Sequence, residues 1–197
     1  MRALAISLLA ILPGSSLAQE TGTSAPVAST AHRHLGFFFR ADVGVGYVTS
    51  PNNNSEGPPP ISGVSVPLGI AVGGAVAENW ILAGEVWGGF TPKTVDGVSQ
   101  TLFVYGYSLA VVHYFMPANV YLSLAPGVAR ITIERGNLSV SSNYGPGLKF
   151  AVGKEWWVGD HWGLGIAAEL ILAVNGGDGF STVATVGSGL TFSATFN

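Results

Sequence analysis

The sequence predicts an all-β fold, a single eight-stranded antiparallel up-and-down transmembrane β-barrel. Three observations carry this reading. The 197-residue chain is 48% hydrophobic and only 10% charged, against about 25% charged in an average soluble domain. Beyond the first residues no apolar run reaches the about 20 residues that a membrane helix needs. From Gly36 onward the apolar residues recur at every second position, the pattern of strands whose two faces meet different media.

The chain opens with a targeting pattern. Arg2 supplies a positive end, residues 3–12 (ALAISLLAIL) are a short apolar stretch, Pro13-Gly14 breaks it, and Ser16-Leu17-Ala18 has the small-x-small form of a cleavage site. Residues 1–18 are therefore expected to be a signal peptide. Residues 19–35 are small, polar and aperiodic and are expected to form a flexible N-terminal segment. The barrel domain is expected over residues 36–197. Cysteine is absent, which excludes a disulfide framework, thiol catalysis and cysteine-based zinc sites. The net charge of −3 and the lack of a basic cluster give no sign of nucleic acid as a partner.

The first predicted strand, GFFFRADVGVGYV (36–48), sorts by parity. Phe37, Phe39, Ala41, Val43, Val45 and Tyr47 form an apolar face, while Arg40, Asp42, Gly44 and Gly46 form a polar and small one. The second, GVSVPLGIAVGGAVA (63–77), puts Val64, Val66, Leu68, Ile70 and Val72 on one side. Pro67 lies within it and predicts a bulge or a local loss of pairing, because proline donates no ladder hydrogen bond. The third strand is residues 80–90, with Glu85 inward. The fourth is 101–115, where Phe103, Tyr105, Tyr107, Leu109 and Val111 share a face. The fifth to eighth are 120–133, 144–157, 162–174 and 182–196.

Four connections are long, polar or rich in Gly and Pro: SPNNNSEGPPPIS, TPKTVDGVSQ, ERGNLSVSSN and NGGDGFS. Three, near Asn79, Ala118 and Asp160, are short. Membrane barrels carry long outer loops and short periplasmic turns, so both ends of the barrel domain are expected on the periplasmic side. The tryptophan-rich stretch GKEWWVGDHW (153–162) then falls at that rim. Trp156, Trp162 and Phe196 are expected at the membrane–water interface, where an aromatic body sits in lipid and a polar edge stays wet. Lys154 reaches water from the same level.

The segments YFMPANVYLS (114–123) and GKEWWVGDHWGLGIAAEL (153–170), with the alternation over residues 36–196, resemble a set of small eight-stranded outer-membrane β-barrel proteins of Gram-negative bacteria, broadly OmpA/OmpX/OmpW-like. The terminal aromatic of such proteins is matched by Phe196, displaced by the one residue Asn197. The resemblance implies an outer-membrane location, biogenesis through the barrel-assembly machinery and contact with outer-membrane lipids. It implies no catalytic residue, cofactor or metal.

The inward parity collects Arg40, Asp42, Glu85, Lys149, Glu155 and Glu169, expected to form a charge network inside the barrel. Pivoting strands six and seven about residue 159 places Lys149 nearly opposite Glu169. Arg40 and Asp42 are expected at a depth similar to Glu155. Buried charges must be paired, so the network is first of all structural; as a path for protons or small solutes it defines the alternative function. A lipid-modifying enzyme needs a nucleophile beside a base. Ser108 and His113 share a strand but lie on opposite parities, and His32-x-His34 has the spacing of a metal pair without an acid beside it. The sequence thus points to a non-enzymatic envelope protein with a structural or surface-interaction role and an unidentified extracellular partner, with a narrow pore or, less favoured, a lipid-modifying enzyme as the alternatives.

Overall fold

The computed structural model describes residues 32–50, 61–95, 97–177 and 180–197. Residues 1–31, which hold the expected signal peptide and most of the expected N-terminal segment, and residues 51–60 lie outside the described residues. Nine strands follow in chain order: β1 (Phe37–Ser50), β2 (Ile61–Ala77), β3 (Trp80–Val95), β4 (Val98–Phe115), β5 (Val120–Arg135), β6 (Leu138–Ser141), β7 (Gly145–Trp157), β8 (Trp162–Gly177) and β9 (Phe180–Phe196). The described residues contain no helix. Neighbouring strands pair in the order β4-β3-β2-β1-β9-β8-β7-β5, and β4 pairs with β5 to close the ring. All pairings are antiparallel. The barrel therefore has eight staves. The ninth strand, β6, is a short addition to the end of β5.

The two-residue period decides which medium each side chain meets. On β8, Trp162, Leu164, Ile166, Leu170 and Leu172 are exposed, while the residues between them, Ala167, Glu169 and Ile171 among them, are buried. Phe192 is 68% exposed and Leu190 63%. Apolar side chains left this open all around the wall suit hydrocarbon, not water, so the chain is a membrane-spanning barrel whose place is the outer membrane. Closure matters as much as pattern, since it leaves no unpaired strand edge facing lipid.

In three of the four connections expected to be long loops, strand pairing runs further than the sequence pattern suggests. Val95 pairs with Val98, Arg135 with Leu138, and Gly177 with Phe180. The Asp-Gly and Gly-Asn pairs at the first two turns are strong hairpin signals, and Gly97 and Gly136 take up φ of +76° and +57°, which a side chain would oppose. Polarity alone misreads these segments as loops. Crossing the bilayer takes about 9–11 residues, whereas β3 and β4 are 16 and 18 residues long. Their outer parts are strands standing in water, where neither face has to be apolar. The fourth connection, residues 51–60, lies outside the described residues.

Pro67 interrupts the ladder without a bulge. Pairing of β1 with β2 lapses at Val66 and Pro67 and resumes in the same register on both sides, between Val43↔Leu68 and Gly46↔Ser65. Pro126 does the same between β4 and β5, where Ser108↔Gly127 and Val111↔Leu124 flank the gap.

Candidate functional site

The lumen is filled by side chains in layers. Nearest the outer end, Asn175 is buried and donates from Nδ2 to the Ala129 carbonyl at 2.7 Å. Thr185 donates to Ser50 Oγ at 2.9 Å. Below them lies an apolar layer of Val48, Trp87, Leu102, Val104, Ile131 and Ile171. Trp87 is its largest member, 1% exposed, and its indole N–H donates to Ser108 Oγ at 2.9 Å. The ring fits because it meets glycines: a Cβ on Gly106 would lie 2.4 Å from Trp87 Cζ2, and one on Gly147 3.3 Å from it. Trp87 shares the inward parity of Glu85, so the sequence held the signal for it, but a tryptophan in a strand rich in lipid-facing residues reads as another of them.

The next layer is ionic. Lys149 Nζ donates to Glu85 Oε1 at 2.9 Å and lies 3.3 Å from Glu169 Oε2 and 3.6 Å from Asp42 Oδ1. One ammonium thus serves three carboxylates from β1, β3 and β8. All four side chains are at most 7% exposed. Lys149 pairs across the ladder with Ile171, and Glu169 with Ala151. Glu169 is therefore a diagonal neighbour of Lys149, two residues from the directly opposite position, and the long side chains span the offset.

A third layer holds Arg40, Tyr114, Tyr121 and Glu155 over an apolar floor that includes Phe38 and Ile81. Glu155 Oε1 accepts from Thr195 Oγ1 at 2.7 Å and from the Tyr114 hydroxyl at 3.2 Å. The Arg40 guanidinium lies over the Tyr121 ring at 4.7 Å and the Phe38 ring at 5.5 Å. Among the described residues Arg40 makes no ion pair within 4.0 Å. The structure therefore separates the depth shared in the sequence reading by Arg40, Asp42 and Glu155: Asp42 belongs to the Lys149 layer, and Arg40 is held by aromatic faces.

The inner end is stoppered by His34. The sequence reading places it in a flexible lead-in, but its ring is fully buried and stacks on Tyr114 with centroids 3.5 Å apart. His34 Nε2 donates to Asn119 Oδ1 at 2.7 Å, and Nδ1 accepts from Asn197 Nδ2. One nitrogen donating and the other accepting defines the neutral ring. Burial, the largest influence, pushes its pKa down, against the hydrogen bonds and the Glu155 charge that raise it. The backbone joins in, since Asn79 N donates to the His34 carbonyl at 3.2 Å. Outside this stopper, His32 stacks on Trp157 at 4.6 Å, so Trp157 turns inward while Trp156 before it is exposed.

Several aromatics cluster around the ends of β7, β8 and β9. Trp156 and Trp162 are 47% and 45% exposed, and Trp162 meets Phe196 edge-on at 5.4 Å. Phe37 approaches Phe196, and Trp80 stacks on His113. Lys154 lies 5.6 Å from the Trp156 ring centroid. A second group, Phe90, Phe103, Tyr105, Tyr107 and Tyr144, stands toward the outer end. Ser108 is inside against Trp87, and His113 is outside against Trp80, so the two do not meet.

A closed eight-stranded ring, an apolar wall between aromatic belts and a lumen packed with side chains define a small outer-membrane barrel. Comparison with known structures agrees. Neisserial surface protein A is similar at a TM-score of 0.58 and 15% identity, covering 82% of this chain and 96% of that one. The attachment invasion locus protein of Yersinia pestis, Ail, solved with the heparin analogue sucrose octasulfate, is similar at 0.52 and 10% identity, covering 82% of this chain and 100% of that one. At these identities the likeness is one of fold. No family model and no curated protein matches the chain.

Proposed function

We propose that this protein is a sealed outer-membrane barrel that acts through what it presents outside the membrane, and is neither a conduit nor an enzyme. The observation that carries the reading is the order of the interior layers. The ionic layer around Lys149 is closed on one side by the apolar layer of Trp87, Leu102 and Ile131, and on the other by packed aromatic rings of Phe38, Tyr114 and Tyr121 that hold Arg40 and Glu155 among them. An ion moving along the axis would have to leave water and pass through both, at the cost that buried unpaired charge always carries. The inward carboxylates are engaged by Lys149 or by Tyr114 and Thr195, and among the described residues Ser108 has no histidine beside it.

What remains available is the outer end, where the β3–β4 and β5–β6 hairpins stand beyond the lipid. Leu138 is 72% exposed there, and Val98 and Val140 are exposed as well. Apolar groups held in water are the material of a contact surface. The Yersinia pestis protein is seen with a sulfated ligand, but the outer segments of this chain carry three basic residues, Lys93, Arg130 and Arg135, against four acidic ones, Glu56, Asp96, Glu134 and Asp178. That balance favours a protein partner over a sulfated sugar.

Planar-bilayer recording tests the sealed lumen. The purified chain, shown to be folded by heat-modifiable gel mobility, is expected to give no conductance above the bare bilayer. Reproducible ohmic steps from the wild-type protein would overturn the reading in favour of a narrow pore.

A further inference from the structure

The lipid-facing wall is not evenly covered. On β7, β8 and β9 the outward residues Val152, Ala168 and Leu190 lie side by side across the ladders, and the middle one is alanine. A groove of about 310 Å³ opens over it, walled by Val120, Val152, Ile166 and Leu190, with Gly153 and Ala167 also in its lining. Lys154 closes its inner-rim end. Val120, which pairs with Lys154, is the first residue of β5 after the short turn, so Lys154 stands at headgroup level.

Lys154 also has donors to spare. Its ammonium donates to the Ala118 carbonyl, its only partner among the described residues, and three N–H groups are available on a lysine. Trp156 flanks it with an exposed indole. A second groove, about 540 Å³, opens over Ala41 and Ala194 between Leu68, Ile70 and Phe192, with no basic residue in its lining. Of these two spaces over alanine, only the one over Ala168 has a cation at its interfacial end.

We infer that the groove over Ala168 is a phospholipid site: one acyl chain lies against the backbone of β7 and β8, and the phosphate of an inner-leaflet anionic phospholipid is held by Lys154 beside Trp156. The shape selects a chain, the lysine selects the charge, and the end of the barrel selects the leaflet.

Native mass spectrometry of the full chain in detergent micelles, with phosphatidylglycerol or phosphatidylcholine added, tests this. One phosphatidylglycerol is expected to stay bound at energies that strip detergent, with weaker retention of phosphatidylcholine of the same acyl composition. Lys154→Gln should lower phosphatidylglycerol retention about fivefold, the weight of one lysine at an anionic interface, and Lys154→Arg should restore it. Ala168→Leu, or the milder Ala168→Val, should fill the groove and lower retention of both lipids, while Ala41→Leu in the other groove should change nothing. All these positions face outward, and heat-modifiable mobility confirms that each variant folds. Equal retention in Ala168→Leu and wild type, equal losses in Ala168→Leu and Ala41→Leu, or indifference to Lys154→Gln would each overturn the site.

Discussion

Replacing Lys149 by methionine keeps most of the side-chain volume and removes the one cation that holds three carboxylates together. Lys149 Nζ stands 2.9, 3.3 and 3.6 Å from Glu85, Glu169 and Asp42. Without it, like charges face one another in a sealed interior. Removing one partner of a buried ion pair costs about 3–5 kcal/mol. Here three acids lose their partner at once, so the upper part of that range is expected, a large share of a total stability of about 5–15 kcal/mol. With a urea slope of about 2 kcal/mol/M, the unfolding midpoint of the barrel refolded into lipid vesicles should fall by about 2 M. The geometry also orders the rescue. Glu85 is the nearest acid and its side chain is 1% exposed, so Glu85→Gln in the Lys149→Met background should recover the most. Asp42→Asn should recover the least, since it is the most distant of the three. A midpoint shift below about 0.5 M, or equal recovery from all three neutral variants, would refute the reasoning, because it would mean that the layer is hydrated and its charges are screened.

The remaining predictions concern the stopper, the apolar layer and the rim. His34 has a folded pKa below its ordinary value of 6.5, so the unfolded chain binds the extra proton first. The stabilisation from neutral His34 is complete above about pH 6.5 and is lost as pH falls from there through the folded pKa, by about 1.4 kcal/mol for each pH unit between the two. His34→Phe keeps a ring against Tyr114 and should flatten that part of the stability–pH curve, measured by urea unfolding from pH 4 to 8. Gly106→Ala drives a methyl into the Trp87 ring and should cost about 1–3 kcal/mol, and a double-mutant cycle with Trp87→Leu should return a coupling of about 1 kcal/mol or more. Trp156→Ala and Trp162→Ala should leave heat-modifiable mobility intact but lower the blue shift of tryptophan emission on insertion into vesicles.

The face of the charged strand residues was legible from the sequence. Arg40, Asp42, Glu85, Lys149, Glu155 and Glu169 all point inward, because a side-chain period of two leaves no other choice once one face must meet hydrocarbon. The exposure of Trp156 and Trp162 follows from the same period. The hairpins were legible in principle at the Asp-Gly and Gly-Asn turns, but polar strand ends in water carry no alternation to mark them as strands.

Alternation along a strand determined that this chain is a membrane barrel and which groups it shelters, because that is a one-dimensional property of the chain. Which groups meet was left to the closed ring. Lys149 on β7 reaches Asp42 on β1 and Glu85 on β3, none of which are neighbours in the sheet. That contact depends on the tilt and stagger with which eight staves close. The same holds for His34, which has no periodic neighbour to announce it. It is buried because the inner ends of β4 and β9 and the turn at Asn119 converge there and offer its neutral ring one acceptor, one donor and an aromatic face.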